Sequence, residues 1–427
     1  MREMKDSGIE WVGQIPKDWD VVPHKRVMHK VKKICEQYSG EDIISLTMNG
    51  VIKRDLTAGG KMPTSFDGYQ YVKPNDLLLC LFDIDVTPRC VGVVKDYGVT
   101  SPAYSRFVMH DGYYNAYYDY LLRAIDDDKV FVHLSKNLRS SLTESDFGVI
   151  KTCVPSLAEQ KRIVTFLDAQ GAEIDAVLEK TRASIEEYKK LKQAVITQAV
   201  TKGIRGDRPM KDSGIEWIGD IPAEWEIRKI FRAINKVGDI DHYMPDSVDD
   251  GIPYLMTGDL QEKLSDVNLK RCKKVSFQDC EMLSSKIRVS KGDVIFARYA
   301  TIGTVCFVDT EDNILVSYAC LIIKPNSSLL YGEFLFYYLK STAFLEEIKQ
   351  YIKANTQANV GLDSVSKAKI ALPSVHEQQK IVEYLRDKCK KIDALIAKKQ
   401  QYLTEIENYK KSLIYEYVTG KKEVHPL

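Results

Sequence analysis

One pair of segments carries the residue types of a metal-dependent nuclease. Asp246 follows a proline, and Glu347 and Lys349 stand two positions apart much later in the chain. Carboxylates with a nearby lysine could hold a divalent cation and activate a water molecule. The same Glu-x-Lys spacing recurs at 187–189 in a segment with helical periodicity, and short carboxylate patterns are common by chance. We therefore interpret Glu347 as part of an amphipathic helix, not as a metal ligand.

Other catalytic signatures are missing from the sequence. It contains no G-x-G-x-x-G fingerprint, no G-x-x-x-x-G-K-[ST] phosphate loop, no G-x-S-x-G elbow and no H-E-x-x-H zinc motif. It also lacks N-P-P-Y and D-P-P-Y, the motif of DNA methyltransferases that modify amino groups. The seven His and nine Cys show no paired-ligand spacing. We predict no catalytic, cofactor-binding or metal-binding residue here; a nuclease or methyltransferase with an unrecognised active site is the alternative.

Basic side chains without acidic neighbours lie shortly after position 21. Lys25, Arg26 and Lys30 belong to the run PHKRVMHKVKK, and a related segment 206 residues later places Arg232 and Lys236 at the matching positions. Lysine and arginine that bind nucleic-acid phosphates release condensed counterions, which favours association. We predict phosphate contacts for these five residues; a solvated helix face is the alternative.

Arginine and lysine also cluster near predicted β-strands. Arg298 and Tyr299 follow one such strand, at the start of a loop that ends at Gly303. The planar fork of an arginine in such a loop matches O6 and N7 of guanine. A surface or salt-bridge role is the alternative for every residue of this kind. We predict DNA contacts for Arg298 and Tyr299 and for these similarly placed residues: Lys53, Arg54, Arg89, Arg106, Lys270, Arg271 and Lys273.

The four tryptophans form two matching pairs, Trp11 with Trp19 and Trp217 with Trp225. Indole rings can stack on bases. Side chains that read two different DNA sequences should differ between copies, however, whereas side chains of a shared scaffold should not. We therefore predict that the tryptophans pack in hydrophobic cores.

The chain contains two copies of one organisation. Residues 4–21 (MKDSGIEWVGQIPKDWDV) recur at 210–227 as MKDSGIEWIGDIPAEWEI, here named motifs A and A′. Residues 155–168 (PSLAEQKRIVTFLD) recur at 373–386 as PSVHEQQKIVEYLR, here named motifs B and B′. The order A–B–A′–B′ indicates two similar structural units.

Motifs B and B′ begin long predicted helices. Each opens with a capping box, Ser156-x-x-Glu159 and Ser374-x-x-Glu377, in which the serine accepts an N–H and the glutamate reaches back to the cap. A helix of about 45 residues would extend about 65 Å at 1.5 Å per residue. Apolar residues recur in a seven-residue frame. We predict that they form the seam of two antiparallel helices: Ile174, Val177, Tyr188, Leu191, Val195, Ile392, Leu395, Ile406, Tyr409 and Leu413.

The segments between A and B, here named the variable segments, have a mixed α and β pattern. Short apolar runs bounded by Gly, Pro and Asp predict strands, for example at Asp76–Phe82 and Asp293–Ala297. Helical spacing appears near Tyr117–Ile125 and Phe334–Tyr351. We interpret the two segments as one fold with different surface residues. Two traces align them: Val72–Leu79 with Val289–Phe296, and Val91–Val94 with Ile302–Val305.

Composition agrees with a multidomain globular protein. The chain has 427 residues, 44% hydrophobic and 28% charged, which predicts more than one domain. The formal net charge is +1, so any nucleic-acid surface must be local. The scattered Cys are typical of reduced thiols. We expect a cytoplasmic protein, because no stretch reaches the roughly 18 apolar residues of a membrane helix and the N-terminus lacks the apolar core of a signal peptide.

The motifs resemble those of one protein family. GIEW-x-G-x-IP-x-x-W in A and A′, P-S-x-x-E-Q-x-x-I-V in B and B′, and their order are similar to the DNA-specificity subunits of type I restriction-modification systems. The resemblance covers essentially the whole chain. It implies an α+β fold in which two α/β target-recognition domains, related by a pseudo-twofold axis, are joined by two long antiparallel coiled-coil helices. The implied boundaries are 1–154 and 204–372 for the recognition domains, and 155–203 and 373–427 for the helical regions.

The resemblance also implies functions for these parts. Each recognition domain would read one half of a bipartite, asymmetric site in double-stranded DNA. The paired helices, through the seam residues named above, would set the unspecified spacer and dock two methyltransferase subunits, which motor-nuclease restriction subunits would join. This chain would be non-catalytic, with no cofactor of its own. S-adenosylmethionine, ATP and magnesium would bind the partner subunits.

Overall fold

The chain forms two compact units. Contacts within the chain separate unit 1, Met1–Arg182 with Gln401–Leu427, from unit 2, Ala183–Gln400. Each unit therefore includes one variable segment and part of each long helix. The computed structural model describes residues 2–48, 50–57, 63–87, 89–127, 129–135, 140–299, 301–351 and 359–424.

Unit 1 is built from short strands, short helices and the first part of a long helix. Its strands are β1 (Met4–Asp6), β2 (Gln14–Pro16), β3 (Asp20–Pro23), β4 (Met28–Lys30), β5 (Ile44–Thr47), β6 (Gly50–Lys53), β7 (Gln70–Val72), β8 (Leu77–Leu79), β9 (Val91–Val93), β10 (Gly98–Thr100), β11 (Ser105–Met109) and β12 (Lys151–Val154). Its helices are α1 (Asn115–Asp127), α2 (Val130–Leu134), α3 (Glu144–Val149) and the beginning of α4 (Leu157–Lys202).

The central sheet of unit 1 has four antiparallel strands in the order β4-β11-β8-β9. Leu77 and Leu79 of β8 belong to the large core that also contains Tyr117 of α1. Leu78 belongs to a smaller core with Ile44 on β5. Because successive side chains of a strand point to opposite faces, the uninterrupted apolar run reflects burial on both faces of the sheet.

Unit 2 repeats this plan. Its strands are β13 (Met210–Asp212), β14 (Asp220–Pro222), β15 (Glu226–Lys229), β16 (Ile234–Gly238), β17 (Ile252–Leu255), β18 (Lys273–Val275), β19 (Val294–Ala297), β20 (Val305–Phe307), β21 (Leu315–Val316), β22 (Cys320–Pro325) and β23 (Lys369–Leu372). Its helices are α5 (Phe277–Ser284), α6 (Gly332–Lys340), α7 (Thr342–Lys349), α8 (Leu362–Lys367) and the first part of α9 (Val375–Val418).

The sheets of the two units correspond strand for strand at their centre. The order β16-β22-β19-β20 in unit 2 matches β4-β11-β8-β9 in unit 1. Motifs A and A′ form the hairpins β1–β2 and β13–β14, and the pairs β3–β12 and β15–β23 lead into the long helices. The expected α+β architecture is confirmed. Each variable segment has its own central sheet, and the two sheets have the same strand order.

One of the two predicted sequence traces is wrong. β9 is the edge neighbour of β8, and β20 is the edge neighbour of β19. Val91–Val93 therefore corresponds to Val305–Phe307, and not to Ile302–Val305. The chance similarity of two apolar-Gly pairs made the connection before this edge strand look shorter in unit 2 than the strand pairing shows it to be.

A β-bulge in unit 2 changes the match of two basic residues. The register between β16 and β22 shifts between Ile234 and Lys236. Val237 therefore occupies the place of Lys30, and Lys236 occupies the place of His29. An ungapped alignment pairs Lys236 with Lys30 because a bulge inserts one residue without a clear sequence signal.

The two predicted long helices are α4 and α9, and they run antiparallel in each unit. Residue numbers rise along α4 as they fall along α9, which confirms the predicted orientation. Ion pairs join the helices: Asp175–Lys410 (2.6 Å) and Arg182–Glu407 (2.9 Å) in unit 1, and Lys192–Asp393 (2.8 Å) in unit 2.

The seven-residue frame of seam residues is only partly right. Ile392 and Leu413 are buried, as are Leu178 and Ile185 on α4. A straight helix drifts relative to a seven-residue repeat, so a frame extended over many turns leaves the contact line. The predicted residues Ile174, Tyr188, Val195 and Ile406 are half-buried, whereas Val177, Leu191, Leu395 and Tyr409 are exposed.

In unit 1, motifs A and B bind each other through a buried carboxylate. Trp19 Nε1 donates to Glu159 Oε2 at 3.0 Å, and Arg2 Nη1 donates to Glu159 Oε1 at 2.5 Å. Ser156 accepts the backbone N–H of Glu159 at 3.3 Å, as the capping box predicts. The glutamate side chain does not reach back to the cap as predicted, because the tryptophan and the arginine occupy both of its oxygens.

Unit 2 contains the same cluster. Trp225 Nε1 donates to Glu377 Oε2 at 3.0 Å, and Arg208 Nη1 donates to Glu377 Oε1 at 2.5 Å. The rings of Trp19 and Trp225 are fully buried, and Trp11 and Trp217 pack half-buried against the same cores. The predicted core role of the tryptophans is therefore confirmed. We name each set a Trp–Glu–Arg cluster.

A buried ion pair lies at the centre of the unit 1 sheet. Arg106 Nε donates to Asp76 Oδ2 at 2.6 Å, and the two residues are 6% and 1% exposed. In unit 2 the equivalent carboxylate, Asp293, pairs with Lys324 at 2.6 Å, and Ile322 occupies the place of Arg106. The prediction that Arg106 contacts DNA is wrong, because its guanidinium is enclosed and already paired.

We expect Glu159→Ala to lower the free energy of unfolding by about 3 kcal/mol, because the Trp19 indole and the Arg2 guanidinium lose their shared acceptor. Asp18→Ala is the matched control, since Asp18 binds the same arginine from an exposed position. It should cost less than about 1 kcal/mol. Urea denaturation measures both values, and equal losses would contradict the role given to Glu159.

We expect Arg106→Ile to lower the free energy of unfolding by about 3–5 kcal/mol, because the Asp76 carboxylate stays buried without its partner. Adding Val108→Lys should restore part of the loss, since Val108 occupies the place of Lys324 in the sheet. Urea denaturation compares both variants with the parent protein. A double variant no more stable than Arg106→Ile would show that the two buried carboxylates are not equivalent.

Candidate nucleic-acid interface

The basic residues after motif A meet at one surface of unit 1. Lys25 and Arg26 extend from the 3-10 helix His24–Arg26 and are exposed, and Lys30 lies on β4. Lys25 and Lys30 line a cavity of about 310 Å³. Lys30 Nζ lies 3.3 Å from a carboxylate oxygen of Glu144 at the rim of this cavity. The structure therefore brings the three predicted phosphate contacts together, with one acidic side chain among them.

A buried histidine forms one wall of this cavity. The ring of His24 stacks on Phe147 with centroids 4.5 Å apart, and Nδ1 donates to the Phe147 carbonyl oxygen at 3.3 Å. Burial lowers the pKa of His24 to about 4, so the ring is neutral at pH 7. Nε2 has no hydrogen-bond partner among the described residues. Unit 2 has the buried Ile230 at this place, so the polar wall belongs to unit 1.

Lys53 and Arg54 lie at the end of β6. Lys53 forms an exposed ion pair with Asp42 at 2.6 Å. The backbone N–H of Arg54 donates to the Ile43 carbonyl at 2.8 Å, and its side chain is half-buried. Both residues reach the surface of the variable segment, and DNA contact by either of them stays a prediction.

Arg89 forms hydrogen bonds to β9 and to the turn between β5 and β6. Its Nε donates to the Val91 carbonyl at 2.9 Å, and its Nη1 donates to the Met48 carbonyl at 3.1 Å. Burial lowers the pKa of Arg89. The guanidinium thus holds the turn between β5 and β6 beside β9, a structural role that uses two of its donors.

The matching basic residues of unit 2 differ in accessibility. Arg232 is exposed, with its guanidinium 5.8 Å from the ring centre of Phe231. Lys236 Nζ donates to the Lys286 carbonyl at 2.5 Å and so ties β16 to the chain after α5. Arg232 is therefore the better placed of the two for a phosphate contact.

Three more candidates lie at or just before β18. Lys270 and Arg271 are exposed in the turn that precedes the strand. Lys273 is half-buried, its Nζ donates to the Pro245 carbonyl, and it lies 5.7 Å from the ring centre of Tyr254. Lys270 and Arg271 are thus free to meet a ligand, whereas Lys273 holds the chain before β17 against the sheet.

Arg298 is held in a fixed orientation. Its Nη1 donates to Asp239 Oδ2 at 2.7 Å, and its Nη2 donates to the Tyr299 hydroxyl at 2.9 Å. His242 Nε2 lies 3.5 Å from the same Asp239 oxygen, and its ring stacks on Tyr318 with centroids 4.9 Å apart. An arginine fixed before binding loses less conformational entropy when a ligand arrives. The side chain is 12% exposed, and its buried Nε has no hydrogen-bond partner among the described residues, so a base contact by Arg298 stays a prediction.

Residues 239–245 contact both Arg298 and Lys286 in unit 2. Asp239 begins the segment and holds Arg298, and Asp241 forms an ion pair with Lys286. Sequence reasoning missed both aspartates, because no local pattern connects Asp239 with an arginine 59 positions later. A search for carboxylates near each predicted basic reader in space, not in sequence, would have found them.

The nuclease-like pattern resolves into structural contacts. Glu347 is buried in α7, and its carboxylate accepts the backbone N–H of Lys369 at 3.0 Å. Burial raises the pKa of Glu347. The structural role predicted for Glu347 is confirmed. Across the described ranges, no three His, Cys, Asp or Glu side chains are grouped to hold a metal ion, and no helix has the length and apolarity to cross a membrane.

Sequence comparisons connect the chain with restriction-modification proteins. The family model described as type I restriction modification DNA specificity domain matches residues 222–408. The putative type I restriction enzyme MjaX specificity subunit of Methanocaldococcus jannaschii is 24% identical over 97% of this chain and 96% of that protein. The type I restriction enzyme EcoBI specificity subunit of Escherichia coli is 24% identical over 63% of this chain and 57% of that protein, so this match spans little more than half of the relative.

A solved structure has a similar fold. It presents the structural basis underlying complex assembly and conformational transition of the type I R-M system. One of its chains aligns with a TM-score of 0.69 and 15% identity, over 96% of this chain and 99% of that chain. The duplicated motifs and the matching central sheets agree with these similarities: residues 222–408 match the type I restriction modification DNA specificity domain, and nearly the whole chain is similar to a putative type I restriction enzyme specificity subunit.

Proposed function

We propose that this chain selects the DNA sequence on which a type I restriction-modification complex acts. Each variable segment contacts one half of a bipartite, asymmetric site in double-stranded DNA, and unspecified base pairs separate the halves. The observation that carries this proposal is the repetition of one scaffold beneath two different sets of side chains.

Equivalent positions of the two units support this reading. The Trp–Glu–Arg clusters have the same hydrogen bonds in both units. Where the chain leaves the central strand, by contrast, unit 1 has Leu81 and unit 2 has Arg298. In the 3-10 helix after motif A, unit 1 has His24 and unit 2 has Ile230. A protein that reads two unlike half-sites needs this combination of a constant frame and different exposed or site-lining residues.

The basic residues divide into two roles under this proposal. Lys25, Arg26 and Arg232 lie beside the scaffold and bind phosphates, which sets the position of each unit on the duplex. Arg298 lies in the variable segment and reads a base edge, for which guanine offers the matching pair of acceptors. Loss of a phosphate contact weakens binding to all sequences alike, whereas loss of a base contact relaxes one position.

The long helices give the complex its spacing and its partners. The lengths of α4 and α9 set the spacer, and two methyltransferase subunits dock on the helices. The exposed side chains of Val177, Leu191, Leu395 and Tyr409 support docking, because apolar residues exposed on long helices are typical of interaction surfaces. Motor-nuclease restriction subunits complete the complex. S-adenosylmethionine, ATP and magnesium bind those partners. This chain performs no catalysis. The complex acts in the cytoplasm, where host DNA lies.

We expect a replacement of residues 22–150 by the same segment of another family member to change one half of the methylated sequence. The other half and the spacer should stay as they are, because unit 2 and the helices are untouched. Methylation sequencing of host DNA reads the complete motif. An exchange of residues 4–21 is the control and should leave the motif unchanged. A motif that changed in both halves after the first exchange would contradict independent reading.

We expect a matched deletion of seven residues from each helix, 179–185 and 402–408, to shorten the spacer. Seven residues correspond to about 10 Å of helix, or roughly three base pairs of duplex. The deletion removes equal lengths from antiparallel partners, so the ion pairs on either side keep their register. Methylation sequencing should return both half-sites unchanged with fewer bases between them. Altered half-sites with an unchanged spacer would refute the proposed role of the helices.

A further inference from the structure

Helix α5 of unit 2 has two different faces. Its inner face packs Cys280 and Leu283 into a core with Val275. Its outer face exposes Phe277 at 66% and Met282 at 53% of their accessible surface. The hydrophobic effect favours burial of such side chains. The outer face is therefore unusually apolar for a surface that meets only water.

The start of α5 does not need Phe277. Ser276 Oγ accepts the backbone N–H of Asp279 at 3.0 Å, and its hydroxyl donates to Asp279 Oδ2 at 2.7 Å. The first turn is thus capped by polar groups. Because the cap and the inner face already fix the helix, the exposed phenyl ring contributes little to its stability.

Two more exposed apolar side chains belong to a segment that contacts α5 and the residues after it. Tyr243 and Met244 belong to residues 239–245 and are about half exposed. The core that holds the inner face of α5 also contains Ile240. Asp241 in the same segment binds Lys286, which follows α5 in the chain. These contacts place the segment and the helix on one side of unit 2.

Exposed basic side chains lie on both sides of α5 in the chain. Lys270 and Arg271 are exposed before β18, and within the described residues neither has an ion-pair partner. Lys286, Arg288 and Lys291 are exposed after the helix; Lys286 pairs with Asp241, and Arg288 lies 3.9 Å from Glu281. Lysine and arginine around a surface attract phosphates, and apolar side chains at its centre can contact thymine methyl groups or insert between base steps. The combination fits a DNA duplex.

The outer face also carries side chains that can distinguish bases. Gln278 and Glu281 are exposed beside Phe277 and Met282. Glutamine pairs with the N6 and N7 edge of adenine, and glutamate accepts from N4 of cytosine. Positions 277, 278, 281 and 282 share one face at the 3.6-residue period. An α-helix is about 10–12 Å across with its side chains, which fits a major groove about 12 Å wide.

We propose that α5 is a base-reading element of unit 2 and enters a groove of the DNA with its outer face. This inference rests on the proposed function and names the residues that would perform it: Phe277, Gln278, Glu281 and Met282. Asp239 extends the same surface to Arg298. The helix and the arginine then read one half-site together, and residues 239–245 connect these two parts of the protein surface.

The main test is the double variant Phe277→Ala/Met282→Ala in the full chain, expressed with its methyltransferase subunits. We expect methylation sequencing to show a relaxed half-site for unit 2 and an unchanged half-site for unit 1, which is an internal control. Binding of the purified complex to a duplex with the parent site should weaken at least tenfold. Met210→Ala, an exposed methionine on β13 of motif A′, should change neither measurement.

Two further variants separate the roles of charge and base contact. Lys270→Ala/Arg271→Ala should reduce the slope of log affinity against log salt by about 2, because two phosphate contacts are lost. Phe277→Ala/Met282→Ala should leave that slope unchanged. Gln278→Ala should relax a single position of the same half-site without loss of the others.

The possible failures are distinguishable. If the parent complex methylates no bipartite site, the proposed function itself is wrong. If it does and the apolar double variant retains the parent motif and affinity, the inference about α5 is wrong. It is equally wrong if that variant no longer retains its methyltransferase subunits and methylation is lost from the whole motif instead of one half-site, because the face would then bind protein. An unchanged urea midpoint for the double variant shows that it folds.

Discussion

The structure depends on a carboxylate that is taken out of water where motifs A and B meet. A buried charge is stable only when it is paired and hydrogen-bonded. Glu159 and its half-buried counterpart Glu377 each accept hydrogen bonds from a tryptophan of the neighbouring A motif and from an arginine two residues before that motif. The next residue adds to the constraint: Gln160 Oε1 accepts the N–H of Tyr114 at 2.8 Å. In unit 1 the end of α9 closes the arrangement, since Lys421 donates to a carbonyl of motif A. Motifs A and B therefore stay together in both copies.

The sequence predicts those parts of the fold in which the pattern of apolar residues follows from burial. The strand β8 is recognisable because Leu77–Leu79 must be apolar on both faces, and α4 and α9 are recognisable from long helical periodicity. Details set by backbone geometry are not visible in the same way. The bulge at Ile234 shifts the match of Lys236 by one position, and a shorter connection misaligns β20. Neither feature changes the hydrophobic pattern, so residue types alone cannot show it.

The candidate site is predicted less well, because a basic residue has the same sequence signature whether it meets solvent or a buried partner. Arg106 and Arg298 both belong to strand-like segments, and both side chains are largely buried and paired with a carboxylate, Arg106 with Asp76 and Arg298 with Asp239. Both partners are distant in the chain. No prediction named Phe277, because the residue type favours burial and does not show that the fold exposes it.

The division between buried ion pairs and the exposed side chains proposed to contact DNA has a physical consequence for stability. Substitutions at Glu159 or Asp76 disturb buried charges, which cost several kcal/mol when a partner is lost. Substitutions at exposed positions such as Lys270 or Gln278 change the free energy of unfolding by about 0.5 kcal/mol or less. A substitution therefore lowers the free energy of unfolding more at the buried pairs than at these exposed positions. Because the two units share only the frame, each can acquire a new set of surface residues without loss of stability and without altering the other unit.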